Sequence, residues 1–427
     1  MPYFKRRDFL KKSVLSTAFF AGGLKLFSEN TKAINYTTDF PKDNDPEYWK
    51  KIRAQFILSN DRIYINTASL GPSPKSVIDT ITDWTIKLET ICETGHEEDI
   101  HTNEKIAKLL NAEVEEIAIT RNTTEGINSV THCLPFKEGD EIIMTKDEHV
   151  GGASPWVALA KEKGVKIKLV DLDYTGENNL TVFKNAITEK TKAVMFSHVT
   201  CSTGMILPAK EIVALCRSKN IYTCVDGAQA VGMIDINLKD INPDFYASSG
   251  HKWLLGPKGT GILFINKNII GKINPVYVGA YTDKKFDLNN LELEYLQSAQ
   301  REEYGTRNTA ITIALGKAVD FITEIGIKKI EERERELAAY FKNELVKNKK
   351  IELLTPLKPE YSCAIVTFRI KNKNYNEVQK ELQEKYKFRV RGIYENKLDA
   401  IRISCSVHNN MDELKSLVEA INAIANS

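Results

Sequence analysis

The sequence predicts an α/β chain, with a mostly parallel seven-stranded sheet in a large domain and a smaller α+β domain beside it. Two patterns carry that expectation. Apolar runs near 117–120, 141–145, 166–170, 193–197, 221–225, 244–247 and 261–265 alternate with helical stretches. This is the pattern of parallel strands covered by helices on both faces. Polar and charged residues then gather just after these runs, where an open α/β sheet places its ligand crevice. The 427 residues exceed one usual core, so two domains are expected, 76–310 for the larger and 45–75 with 311–427 for the smaller.

Taken in order, the first strand runs into a polar turn and a helix start, IAITRNTTEGIN from Ile117 to Asn128. Such a start offers free N–H groups and a positive dipole end to an anion, and Thr123 and Thr124 add hydroxyls there. Glu148-His149 follows the second run, and Ser197-His198-Val199-Thr200 ends the fourth. Asp226 closes the fifth, with Gln229 three residues on, and Ser249-Gly250-His251-Lys252 closes the sixth before a glycine-rich strand. A charged helix is expected over 328–347, then strand, helix, strand and a last helix from Met411. Arg402 sits inside the final strand, and Arg391 lies shortly before it.

The ordered set Asp226, Gln229, Ser249, His251, Lys252 suits pyridoxal 5'-phosphate. A lysine beside a phosphate-binding cluster can form a Schiff base with the cofactor aldehyde, and a carboxylate on the next strand end can pair with its pyridinium. A buried strand followed by a surface lysine is the bland alternative, and the ordered set outweighs it.

These residues resemble the class V aminotransferase family, with the type I fold of pyridoxal-phosphate enzymes. The likeness runs from YINTASLGPSP at Tyr64 to the end of the chain and is nearest the isopenicillin N epimerase-like, cysteine desulfurase-related branch. It implies Lys252 as the Schiff-base lysine, Asp226 as the pyridinium partner and Gln229 as donor to the ring hydroxyl. It implies Thr123, Thr124, Ser249 and His251 as phosphate ligands, and His149 stacked on the ring, where its nitrogen could move protons. Trp156 falls where several relatives also have tryptophan. Thr306, in Gly305-Thr306-Arg307-Asn308, would reach the phosphate of a partner subunit in a homodimer. Arg402, with Arg391 as the weaker candidate, would hold a substrate α-carboxylate through its planar fork.

The implied activity is on an α-amino acid or a derivative, through an external aldimine and a quinonoid, ending in epimerisation or transamination. Two alternatives stand beside it: a C–S lyase releasing pyruvate and ammonia, and a non-catalytic envelope binding protein of the same fold. The interval GIYENKLDAI after Arg391 has no cysteine, and Cys363 and Cys405 lie in strand-like runs where a cysteine packs as a small hydrophobe. With no evident thiolate to take sulfur, the expectation is that the chain is not a cysteine desulfurase.

The N-terminus carries Lys5-Arg6-Arg7-Asp8-Phe9-Leu10-Lys11-Lys12 before a short apolar stretch over 13–27. It resembles a twin-arginine signal over 1–33, cleaved near Thr31-Lys32-Ala33. It implies passage through the twin-arginine translocase to the periplasm. The stretch is too short for a stable membrane span. The leader's net +5, taken from the chain's +2, leaves −3 for the body. That balance, without a basic stripe interleaved with aromatics, argues against nucleic acid. Seven cysteines without a C-x-x-C pair suggest no metal site and no full disulfide framework.

Overall fold

The computed structural model describes residues 40–427, and the twin-arginine reading over 1–33 lies outside the described residues. The expected runs form seven strands: β1 Ile117–Thr120, β2 Glu141–Thr145, β3 Lys166–Val170, β4 Thr191–Ser197, β5 Tyr222–Asp226, β6 Phe245–Ser249 and β7 Gly261–Ile265. They form one sheet in the order β1-β7-β6-β5-β4-β2-β3. Only β7 runs against its neighbours, β1 and β6. The C-terminal ends of the other six strands therefore share one edge.

Alternation within these strands explains why they read as continuous apolar runs. Ala118, Ile142, Met144, Met195, Cys224 and Leu263 enter a core on one face. Their neighbours Ile119, Ile143, Val194, Phe196, Val225 and Ile262 enter another core on the opposite face. A sheet buried on both sides needs apolar side chains at every position.

Two helices start at the shared edge, α1 Thr123–Cys133 and α2 Val150–Lys163. Asn122 caps α1, accepting a hydrogen bond from the Glu125 N–H at 2.9 Å. His149 caps α2, accepting from Gly151 at 3.1 Å. Both caps turn a strand exit into a helix entrance at the edge where a ligand would sit.

The smaller sheet has strands β8 Ile351–Leu353, β9 Ile365–Ile370, β10 Arg391–Ile393 and β11 Ala400–Ser404 in the antiparallel order β8-β9-β11-β10. It packs with α3 Ile327–Leu345 and α4 Met411–Asn426 through Leu337, Phe341, Val366, Phe368, Ile403, Leu414 and Ile421. The segment before the large sheet serves both cores. Tyr48, Ile52 and Phe56 join the larger one. Ile63–Tyr64 pairs in parallel with Phe388–Arg389, and Ile65 enters the smaller core. Among the described residues, no helix is long and apolar enough to cross a membrane.

Candidate active site

The strand ends enclose a cavity of about 270 Å³ whose walls include Thr123, Thr124, His149, Asp226, Gln229, Ser249, His251, Lys252, Arg391 and Arg402. Ten of the eleven residues singled out in the sequence therefore meet in one place. Thr306 does not: it lines a separate hollow with Tyr304, Arg307 and Asn308.

At one end the Thr123 and Ser249 hydroxyls are 2.6 Å apart, beside the first turn of α1. With the N–H groups of that turn they make a cup that could hold a phosphate. His251 is held by the Thr260 carbonyl, 3.2 Å from Nδ1, which puts the proton on Nδ1. The lysine turn is pinned from outside, since Gly71 donates to the His251 carbonyl at 2.8 Å. A Cβ on Gly71 would stand 1.9 Å from the Lys252 carbonyl oxygen, so this approach requires glycine.

Asp226 ends β5 and is 5% exposed. Its Oδ1 accepts from the Ala228 N–H at 2.8 Å. Its Oδ2 faces Gly152, where an added Cβ would come within 3.0 Å. Glycine on α2 thus leaves a flat slot against the carboxylate. Burial raises the Asp226 pKa, opposed by Lys252, and burial lowers that of Lys252, opposed by Asp226. Lys252 has no hydrogen-bond or ion-pair partner among the described residues. The Gln229 amide is oriented by two bonds, Nε2 to the Ala68 carbonyl at 2.9 Å and Trp253 Nε1 to Oε1 at 2.8 Å. One Nε2 hydrogen remains for a ligand.

His149 is a neutral ring. Burial, then Lys252 and Arg391, lower its pKa to about 4, and Nδ1 is occupied in accepting from Gly151. It offers a flat face and an Nε2 hydrogen. Trp156 is buried in the core edge-on to Phe136, with ring centroids 6.0 Å apart.

Arg402 closes the opposite side and is 1% exposed. Nη1 donates to the Cys201 carbonyl at 2.7 Å, and Nη2 to Ser69 Oγ at 2.7 Å and Asn66 Oδ1 at 3.2 Å. Its Nε has no partner, and no carboxylate pairs with it among the described residues. Burial, then the neighbouring Arg391, lower its pKa to about 10. Arg391 faces Arg402 in register across β10 and β11, but its own charge is paired with Glu395.

One residue escaped the sequence reading, and two that it named have partners it did not foresee. Cys201 lines the cavity just beyond the Ser197–Thr200 segment. Within that segment Ser197 and Val199 line the cavity. His198 instead sits 2.9 Å from the Tyr246 hydroxyl through Nδ1. Glu148, read only as the neighbour of His149, is a buried carboxyl. It accepts from the Ser197 hydroxyl at 2.6 Å, the Thr145 hydroxyl at 2.7 Å and the Ser197 N–H at 3.2 Å.

This cup, carboxylate slot, amide donor and free lysine fit pyridoxal phosphate in the chemistry of each donor. The aminotransferase class-V family model matches residues 73–417. The chain belongs to that family. A probable cysteine desulfurase of Pyrococcus abyssi is 28% identical over 88% of this chain and 97% of its own length. Isopenicillin N epimerase of Streptomyces clavuligerus is 28% identical, over 88% of this chain and 98% of its own. A lysine-to-alanine mutant of the cystine C–S lyase C-DES, with glycine covalently linked to its pyridoxal phosphate, superposes with a TM-score of 0.80. It is 25% identical and covers 86% of this chain and 98% of its own. The chain is a pyridoxal-phosphate enzyme of class V.

One expectation falls. The exclusion of cysteine desulfurases does not stand, because several curated relatives spanning most of the chain are described as probable cysteine desulfurases. The exclusion rested on the absence of an evident thiolate near the C-terminus; Cys201, in the loop after β4, lines the cavity.

Burial raises the Glu148 pKa from 4.5 to about 7, with Asp226 adding to the rise and the Ser197 and Thr145 bonds opposing it. The folded chain then holds this proton more tightly than the unfolded one, so the contribution to stability is lost as pH climbs through that window. Melting points recorded from about pH 5 to about pH 8 should fall more for the wild type than for Glu148→Gln. Parallel curves would assign the pH dependence to other groups.

Proposed function

We propose that this class-V enzyme binds a sulfur-bearing α-amino acid and breaks its C–S bond. The observation that carries the amino-acid assignment is Arg402, a buried guanidinium whose Nε lacks a partner on the cavity wall. A substrate carboxylate supplies the missing negative charge in a charge-assisted bond. Bound pyridoxal phosphate supplies the sink for electrons released at Cα. Asp226 would hold the proton on the pyridine nitrogen, Gln229 would donate to the ring hydroxyl, and Lys252, its basicity lowered by burial, would take the proton from Cα. The sulfur assignment is supported by the desulfurase and cystine C–S lyase likenesses.

The epimerase or transaminase outcome is the second reading, favoured by the likeness to isopenicillin N epimerase. Epimerisation asks for a second proton carrier across the ring from Lys252. His149, neutral and committed at Nδ1, is a weak acid for that task. A non-catalytic binding protein has no need of a free lysine facing a carboxylate slot.

Products decide between these readings when the loaded enzyme meets L-cysteine and L-cystine. Sulfide or persulfide with pyruvate or alanine supports C–S cleavage. A changed enantiomer ratio means epimerisation, and a keto acid formed only with an amino acceptor means transamination. Arg402→Ala should weaken binding of L-cysteine by roughly 1.5–3 kcal/mol, a factor of about 10 to 150. Binding of cysteamine, which lacks the carboxylate, should change little. Equal losses for both amines would remove Arg402 from carboxylate recognition.

Thr306, outside the Lys252 cavity, supports a homodimer in which it completes the phosphate cup of a second copy. The hairpin of Asp283–Asp287 and Glu292–Tyr295 leaves Phe286, Leu288 and Leu291 exposed at 63%, 69% and 85%, an apolar edge suited to burial between copies. Light scattering of the purified protein should give twice the chain mass, and Thr306→Ala should loosen the cofactor. A monomer with full cofactor occupancy would refute this.

The Arg6-Arg7 pair supports export of the folded, loaded enzyme through the twin-arginine route to the periplasm. Arg6→Lys/Arg7→Lys should hold the protein in the cytoplasmic fraction, because a guanidinium pair is not replaced by charge alone. Wild type found there at full length would show the leader to be a basic tail.

A further inference from the structure

We propose that a hollow between Arg62, Lys387 and Arg389, apart from the Lys252 cavity, binds a small oxyanion carrying two or more charges. It lies at the start of the parallel pair Ile63–Tyr64 and Phe388–Arg389. Its volume is about 460 Å³, within the range of small-molecule pockets. The walls are Arg62, Gln379, Gln383, Lys387, Phe388 and Arg389, so cations make half of them and carboxylates none.

The three charges are unanswered. Arg62 and Lys387 are exposed, Arg389 is half-buried, and none is paired with a carboxylate among the described residues. Lys387 Nζ donates to the Glu384 carbonyl at 2.8 Å and Arg389 Nη1 to the Val390 carbonyl, so each spends one donor on backbone and keeps its charge free. Asp61, next to Arg62 in the chain, is engaged by the Ser59 hydroxyl at 3.2 Å. Cations flanking the hollow are answered instead, Lys385 by Glu381 at 3.0 Å and Arg391 by Glu395. The amides add donors. Gln379 Oε1 accepts from the Gly392 N–H, which leaves its Nε2 hydrogens over, and Gln383 stands one turn further along the helix Tyr375–Glu384.

The strands give the charges a purpose. The pair is two residues long, held by Ile63 N–H to the Lys387 carbonyl at 2.9 Å and Ile65 N–H to the Arg389 carbonyl at 3.3 Å. Like charges gathered at one end of so short a ladder push its strands apart. An anion reaching from Arg62 on one strand to Lys387 and Arg389 on the other reverses that sign. Each guanidinium presents a fork for two oxygens, so a ligand with two oxyanion groups suits both arginines. The first strand runs on to Asn66 and Ser69, which hold Arg402, and the second to Arg391, which faces it. Occupation of the hollow therefore steadies the cavity wall from outside.

The test uses the full-length, cofactor-loaded enzyme, with inorganic pyrophosphate and citrate as probes at fixed ionic strength. Calorimetry should give one saturable site per chain for at least one probe, weakening as sodium chloride is raised. That anion should slow hydrogen exchange at the Ile63 and Ile65 amides and leave the cofactor absorbance unchanged. Arg62→Gln/Lys387→Gln should weaken binding by roughly tenfold or more. Arg62→Lys/Lys387→Arg, which keeps both charges, should weaken it by no more than about threefold. Tighter pyrophosphate would mark a phosphate ester as the natural occupant, and tighter citrate a polycarboxylate. No saturable binding of either probe up to about 10 mM would overturn the site. Equal binding by wild type and the glutamine variant would do the same, as would binding without slower exchange at Ile63 and Ile65. Since that exchange is read on the wild type, the proposal does not depend on either variant folding.

Discussion

A guanidinium buried without a counter-ion organises this molecule. Placing a charge under the surface costs several kcal/mol unless dipoles or an opposite charge answer it. Arg402 is answered by a carbonyl from Cys201, an amide oxygen from Asn66 and a hydroxyl from Ser69. These partners belong to the loop after β4 and to the segment ahead of the large sheet, while Arg402 itself stands on β11 of the small sheet. One side chain therefore clasps three parts of the chain around the cavity. The answer is incomplete, because Nε is left over. The clasp that shapes the cavity also leaves it wanting an anion.

The rest of the cavity follows a matching economy of charge. Asp226 and Lys252 are pushed toward their neutral forms by burial, and each holds the other back from getting there. His149 is neutral, and Glu148 retains its proton to about pH 7 behind the sheet edge. Protons are then held on groups that yield them at modest cost, which is what chemistry at Cα requires of its surroundings. A fully ionised wall would bind the substrate and hold every proton in place.

Legibility in the sequence divides along the reach of the interactions. Asp226, Ser249, Thr123 and Lys252 were readable because a strand end places the next residue at the sheet edge, a matter of a few bonds. Arg402 was singled out through the family resemblance and its place in the last strand, where it pairs in register with Thr367 of β9. Cys201 was not, because its place depends on how the loop after β4 meets β11, some two hundred residues later. His198 shows the limit of local reading from the other side. One residue past the strand it pairs with the Tyr246 hydroxyl, although Ser197 and Val199 beside it line the cavity. Glu148 looked like an ordinary partner of His149, since nothing local shows that Thr145 and Ser197 both donate to it. The family was legible throughout, while the exclusion of cysteine desulfurases was overturned by relatives that span most of the chain.

On the proposed function, the two arginines differ in how they would meet a substrate carboxylate. Arg391 and Arg402 face each other in register, yet they differ in what an incoming carboxylate gains. At Arg391 the anion would have to displace Glu395, exchanging one mostly buried ion pair for another with little net gain. At Arg402 nothing is displaced, and a buried charge acquires its missing partner, where charge-assisted bonds contribute roughly 1.5–3 kcal/mol each. On the proposed function, the α-carboxylate would therefore seat on Arg402. With Lys252 serving Cα in that reading, the remaining substituent would extend along the cavity wall. Cys201 stands on that wall, tied by its own carbonyl to the arginine that sets the direction.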